Sequence, residues 1–244
     1  MASKHLKVRA VIFDVYNTLL EVGAPPGDAD ARWQTLFMEL LGEPPPFNRM
    51  EFSLRTSRAI ARRHAEARAA GIPWPEINWP AVVRETLPGR PRLTPEKFDD
   101  FLLRQMQLGR TLRLADHAAE CLRQLNAHHL AIGIASNAQA YTLRELDDAL
   151  AGAGLKLALF DRELRFWSFE NGFSKPDPHV FRLMTARLEA RGISPAETLM
   201  VGDRLDNDIE PARAQGWQTW HLTLKAEGDG KTSGGFRELR AALA

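Results

Sequence analysis

Four short apolar runs, residues 8–13, 130–135, 198–201 and 218–222, each lead into a polar or glycine-containing turn and then a stretch with helical periodicity. Runs this short and this apolar are what parallel strands covered on both faces require. Their alternation with helical stretches at 115–127, 140–151, 178–191 and 208–215 predicts a doubly wound, mainly parallel α/β sheet with right-handed crossovers. Ligands of such a sheet bind beyond the C-terminal ends of its strands. The residues that follow each run are therefore the ones to read for chemistry.

Residues 21–110 break the rhythm. No strand is evident there, and helical periodicity covers 29–41, 50–70, 79–87 and 95–108, which predicts an inserted α-helical domain. The expected division is an α/β core from residues 1–20 and 111–244 around a helical insertion at 21–110. Pro44-Pro45-Pro46, Pro73-Trp74-Pro75 and the prolines at 88 and 91 punctuate the insertion and read as turns between helices. Within it, Trp33, Trp74, Trp79, Phe37, Phe52, Arg32, Arg49, Arg55 and Arg58 could reach a substrate, but helical spacing assigns most of the aromatics to a core and most of the arginines to solvent.

Thirty-two Lys and Arg against 31 Asp and Glu leave a formal charge of +1, which favours neither nucleic acid nor an anionic membrane as a partner and leaves a small soluble substrate. Cys121 is the only cysteine, so no intrachain disulfide can form, and its setting reads as a buried helix position. Residues 8–13 are too short for a signal segment or a membrane span, and a cytoplasmic protein is expected. Gly230-Lys231-Thr232 has the look of a phosphate-binding loop, but Lys225 stands where that motif needs glycine, so residues 228–235 read as a surface loop. His64, His128 and His129 lack metal-ligand spacing and read as surface or interface residues.

Four fragments follow the runs. Asp14 comes first, in Ile12-Phe13-Asp14-Val15-Tyr16-Asn17-Thr18, where a strand delivers a carboxylate into a tight polar turn suited to a nucleophile. Ser136-Asn137 follows the second run and could hold oxygens of a substrate through hydroxyl and amide groups. Lys175-Pro176-Asp177-Pro178 places a cation in a stiffened backbone that leads into a helix. Gly202-Asp203, with Asp206 and Asp208 close behind, ends the third strand in carboxylates that can bind a hard cation.

Together these fragments resemble the haloacid dehalogenase-like (HAD) hydrolase superfamily, over the chain from Val8 to about residue 224. The resemblance implies a Rossmann-like core with a helical cap and an enzyme that uses Asp14 as nucleophile. It implies that Thr18 and Ser136 orient the electrophile, with Asn137 beside them, and that Lys175 neutralises charge. It further implies that Mg2+ is held by Asp14, Asp203 and the backbone oxygen of Tyr16, while Asp208 holds Lys175 or a metal-bound water. Asp206 reads as a solvated turn residue.

Tyr16 stands where phosphatases of the superfamily carry a second Asp as general acid and base, and a phenol whose ordinary pKa is about 10 is a poor base near neutrality. The first motif thus resembles that of the L-2-haloacid dehalogenases, whose halide leaves without a proton. The last motif, with Asp203, resembles that of the magnesium-dependent branch. A Mg2+-dependent phosphatase acting on a small phosphorylated metabolite is the leading expectation. A metal-independent 2-haloacid dehalogenase is the first alternative, and a binding protein with impaired catalysis the second.

Overall fold

The structure, a computed structural model, describes residues 6–87, 93–223 and 232–243. The turn expected around Pro88 and the first half of the loop expected at 228–235 fall outside the described residues.

Strand β1 (Ala10–Phe13) runs through the middle of the core sheet. The chain then leaves through β2 (Leu20–Gly23), builds α1 (Ala29–Leu41), α2 (Arg49–Ala69), α3 (Trp79–Thr86) and α4 (Pro95–Gln107), and returns through β3 (Thr111–Leu114). Next come α5 (Ala118–Ala127), β4 (Ala131–Ser136), α6 (Tyr141–Ala151), β5 (Arg165–Trp167), the single turn α7 (Ser168–Asn171) and α8 (Pro178–Glu189). The chain closes with β6 (Thr198–Gly202), a π-helical turn at Leu205–Ile209, α9 (Glu210–Ala214), β7 (Gln218–Leu222), β8 (Ser233–Gly234) and α10 (Phe236–Ala242).

The sheet order is β5-β4-β1-β6-β7-β8, and every pairing in it is parallel. Side chains of β1 alternate between two apolar layers, as the period of a strand demands. Val11 and Phe13 pack with Cys121, Leu122 and Leu125 of α5, Leu146 of α6 and Phe236 of α10. Ala10 and Ile12 pack on the opposite face with Val180, Phe181 and Met184 of α8 and Ala212 of α9. This is the doubly wound α/β core that the apolar runs predict.

Three local expectations need correction. Strand β2 lies mostly inside the stretch read as strand-free, pairing antiparallel with β3 from Leu20 opposite Leu114 to Gly23 opposite Thr111. Ser233 and Gly234 form β8 against β7 rather than surface loop. The helix expected over 208–215 begins as the π-helical turn, which matters below.

Helices α1 to α4 build a separate apolar core. Trp33, Phe37, Phe52, Trp79, Phe98 and Phe101 are all buried there, with neighbouring ring centroids 4.6–6.4 Å apart. Four of the aromatics considered as substrate contacts are therefore packing residues, whereas Trp74 is exposed. Arg32, Arg49 and Arg55 pair with Asp28, Asp30 and Glu51. Asn48, Asn78 and Thr94 cap α2, α3 and α4 by accepting from Glu51, Ala81 and Lys97 amides, which accounts for sharp helix starts after polar residues.

Between α2 and α3 the chain touches the core again. Pro75 and Phe173 form an antiparallel bridge, the Glu76 amide donates to Gly172 O (3.0 Å), and the Ser174 amide donates to Trp74 O (2.9 Å). Gln139 Nε2 reaches across to Glu76 Oε1 (3.0 Å) and Ile77 O (3.1 Å). Among the described residues no helix is long and apolar enough to cross a membrane.

Candidate active site

Asp14 follows β1 directly, and its amide still donates into the sheet, to Val201 O of β6 at 2.9 Å. The chain then turns tightly. The Leu20 amide returns to Val15 O (2.8 Å) and the Asn17 amide to Leu20 O (2.7 Å). Asn17 sits at φ +56°, a left-handed conformation that asparagine tolerates better than most residues. The sheet thus fixes the base of the Asp14 side chain and the turn fixes its direction.

Lys175 is 3% exposed. Its ammonium donates to Asp14 Oδ1 at 2.7 Å and to Asp208 Oδ1 at 2.5 Å. Asn137 holds the lysine's backbone from both sides, accepting from Lys175 N at 2.7 Å and donating to Lys175 O at 2.9 Å. Asn137 lines the cavity, but both ends of its amide are engaged in aligning the lysine, which differs from the substrate contact expected of it. Asp177 caps α8 by accepting from the His179 amide at 2.9 Å, so the loop enters the helix at once.

The π-helical turn swings Asp208 back toward β6, where its Oδ2 accepts from the Arg204 amide at 3.1 Å. A Cβ on Gly202 would stand 2.4–2.5 Å from the Asp208 carboxyl, so only glycine lets the strand end lie this close. Asp203 is half-buried, and its backbone oxygen accepts from His221 Nε2 at 2.9 Å. Asp206 is exposed and paired with Arg204.

Two carboxylates, Asp14 and Asp208, share one ammonium, and a third, Asp203, stands beside them. Burial foremost, then Asp208, push the Asp14 carboxyl up to about 6 against the pull of Lys175. Burial and Asp208 likewise raise Asp203 above the usual carboxylate range. Burial drags on the Lys175 ammonium, but Asp14 and Asp208 outweigh it and hold its pKa above the ordinary lysine value. Ligand atoms of Asp14, Asp203 and Asp208 all lie within 4.8 Å of one another. A cluster with this excess of hard oxygen donors fits a divalent cation.

A cavity of about 190 Å³ opens on the cluster, lined by Asp14, Tyr16, Asn17, Asn137, Lys175, Asp203, Arg204, Asn207 and Asp208. Thr18 and Ser136 stand outside this lining, each fully buried with a hydroxyl oxygen that meets no partner among the described residues.

Tyr16 borders the cavity, but its hydroxyl is anchored elsewhere. It donates to Glu145 Oε2 at 2.6 Å, accepts from Arg110 Nη2 at 2.8 Å and meets Thr142 Oγ1 at 2.7 Å. The Arg110 guanidinium lies 4.2 Å from the centre of the Tyr16 ring and pairs with Glu145 at 2.7 Å. Burial raises the phenol well above its ordinary pKa. Burial also raises the Glu145 carboxyl, although Arg110 and the phenol oppose it.

Sequence reasoning did not single out Asn17, Arg204, Asn207, Arg110, Thr142 or Glu145. The first three lie inside or beside fragments already flagged, and asparagine in a tight turn was a usable signal for Asn17. Arg110, Thr142 and Glu145 carried none.

A family model described as haloacid dehalogenase-like hydrolase matches residues 8–216. Among solved structures, a 2-haloacid dehalogenase from Pseudomonas syringae pv. Tomato DC3000 aligns with TM-score 0.61 and 19% identity over 97% of this chain and 98% of that one. A Bacillus subtilis protein described as the HAD-hydrolase YfnB, bound to magnesium, aligns with TM-score 0.58 and 21% identity over 97% and 99%. An HAD phosphatase from Thermococcus onnurineus aligns with TM-score 0.56 and 20% identity over 97% and 98%. At such identities the likeness is one of fold. No curated protein matches in sequence.

Proposed function

Given that the chain belongs to the haloacid dehalogenase-like hydrolase family, we propose that it is a Mg2+-dependent phosphohydrolase acting on a small phosphorylated molecule, with Asp14 as nucleophile. The observation that carries this reading is the cluster of Asp14, Asp203 and Asp208, in which the Lys175 ammonium pairs with Asp14 and Asp208. Buried carboxylates in excess of their cations are costly, and a divalent ion relieves that cost. Asp14, Asp203 and the Tyr16 carbonyl would hold it, with Asp208 behind them engaged by Lys175 and the Arg204 amide. When bound, Mg2+ supplies positive charge to the phosphoryl oxygens. A magnesium-bound structure with the same fold is consistent with this assignment.

The chain's own residues do the rest. Lys175 occupies Asp14 Oδ1 and leaves Oδ2 to form the bond to phosphorus as the bond to the leaving oxygen breaks. Water then attacks the aspartyl-phosphate and releases the Asp14 carboxylate with inorganic phosphate. Thr18 and Ser136, whose hydroxyls are unpartnered, are proposed to turn toward substrate oxygens. Helices α1 to α4 are proposed to act as a cap, with residues 73–77 as the seam that closes it on the core.

One observation favours a second reading. The Tyr16 hydroxyl is anchored away from the cavity, and a halide departs without a proton, as a 2-haloacid dehalogenase requires. Paired assays separate the two. Nitrophenol release from p-nitrophenyl phosphate that stops with chelator supports the phosphatase, and chloride release from 2-chloropropionate unaffected by chelator replaces it with the dehalogenase. Asp14→Asn is expected to lower phosphatase turnover at least about 10³-fold. Retained Mg2+-dependent turnover in that variant would remove Asp14 from the role of nucleophile.

A further inference from the structure

Breaking a phosphate ester leaves an oxygen that either takes a proton as the bond breaks or departs as an anion. The walls of the nucleophile's cavity bear on which course is open. Asn17, Asn137 and Asn207 carry amides with no acidic proton, and the guanidinium of Arg204 does not deprotonate in a protein. Lys175 is ion-paired on two sides, and the three carboxylates are the nucleophile and its charge partners. Among the described lining residues, only the Tyr16 hydroxyl remains as a proton donor.

That hydroxyl is fully engaged. A phenol has one proton and two lone pairs. Its proton goes to Glu145 at 2.6 Å, one lone pair takes Arg110 at 2.8 Å, and the other faces the Thr142 hydroxyl at 2.7 Å. Thr142 is itself fixed by the Gln139 amide at 3.2 Å, and Glu145 is locked by Arg110, which also stacks on the phenol ring. Donating into the cavity would strip a buried carboxylate of one of its two partners, and its second oxygen already has none among the described residues.

Resting on the phosphatase reading above, we infer that the site acts on phosphates whose leaving group departs as a stable anion, acyl phosphates and phosphates of acidic hydroxyls, and that Glu145 and Arg110 enforce this by holding the Tyr16 proton out of the cavity. For an acyl phosphate the step balances without a protein acid. Asp14 Oδ2 bonds to phosphorus, the acyl oxygen leaves with its electron pair as a carboxylate, and both protons of the water that later frees Asp14 leave with inorganic phosphate, as dihydrogen phosphate.

The test is a leaving-group series, from dinitrophenyl through nitrophenyl to phenyl phosphate, with acetyl phosphate and ethyl phosphate as the natural extremes, in wild type and Tyr16→Phe. The wild-type kcat/KM is expected to fall by roughly three- to tenfold per unit of leaving-group pKa, as for departure without acid catalysis, with acetyl phosphate turned over and ethyl phosphate not. Tyr16→Phe is expected to keep the same slope whatever its absolute rate. A flat wild-type series, or a slope that steepens in Tyr16→Phe, overturns the inference and leaves the phosphatase reading standing. Silence on the whole series overturns both. The wild-type slope decides the matter even where Tyr16→Phe does not fold.

Discussion

The Asp14 end of the sheet and the four-helix insertion handle charge in opposite ways. At the sheet end, Asp14, Lys175 and Asp208 are all buried, and the lysine ammonium bonds to both carboxylates. In the insertion, Arg62, Arg63, Glu66 and Glu85 form their pairs on the surface, over an interior of aromatic rings. Desolvating two ions commonly cancels what their attraction returns, so a buried ion cluster is poor evidence of a need for stability. An aromatic core contributes directly through area and ring contacts. One region buries charge at some expense of stability, and the other supplies stability from an apolar interior.

The contrast is strongest at Lys175. Lys175→Met leaves two buried carboxylates facing each other, and removing one partner of such a cluster is expected to cost about 3–5 kcal/mol. Urea denaturation of the metal-free protein measures it, and a loss under about 1 kcal/mol would erase the distinction between the regions. Trp33→Ala is expected to cost about 3 kcal/mol by opening a cavity among Phe37, Phe52 and Phe101. A negligible change there would mean that the insertion does not rely on its aromatic interior.

A Mg2+ ion held at the sheet end as proposed would compete with protons for the same carboxylates. Burial raises both Asp14 and Asp203, so the folded chain binds those protons more tightly than the unfolded chain. Metal-free stability therefore falls as pH rises from the unfolded carboxylate value near 4 through about 6. Mg2+ at saturation should raise Tm by several degrees near pH 7.5 and by much less near pH 5. Equal rises at both pH values, read by differential scanning fluorimetry, would place Mg2+ away from these carboxylates. The smallest effect belongs to Glu85→Gln, which breaks two ion pairs yet should move Tm by less than about 2 °C.

How much of this was legible in the sequence depended on distance along the chain. Helices α1 to α4 were readable to within a residue or two, because periodicity and caps are local. The fragments at Asp14, Lys175 and Asp203 were readable because each lies within a few residues of a strand end. Strands β2, β3, β5 and β8 were not, since they are two to four residues long and carry Glu21, Arg113, Arg165 and Ser233 in place of an unbroken apolar run. The anchoring of Tyr16 was least legible of all. Its partners lie 94, 126 and 129 residues away, and an Arg before a strand or a Glu within a helix ordinarily faces solvent.

The seam between α2 and α3 has a consequence in time as well as in space. The amides of Glu76 and Ser174 hydrogen-bond across it, to Gly172 O and Trp74 O. The cap motion proposed above would have to part those two bonds. Their protons would then be laid open to solvent together, so the deuterium uptake of two backbone amides would keep count of how often the insertion lifts from the core.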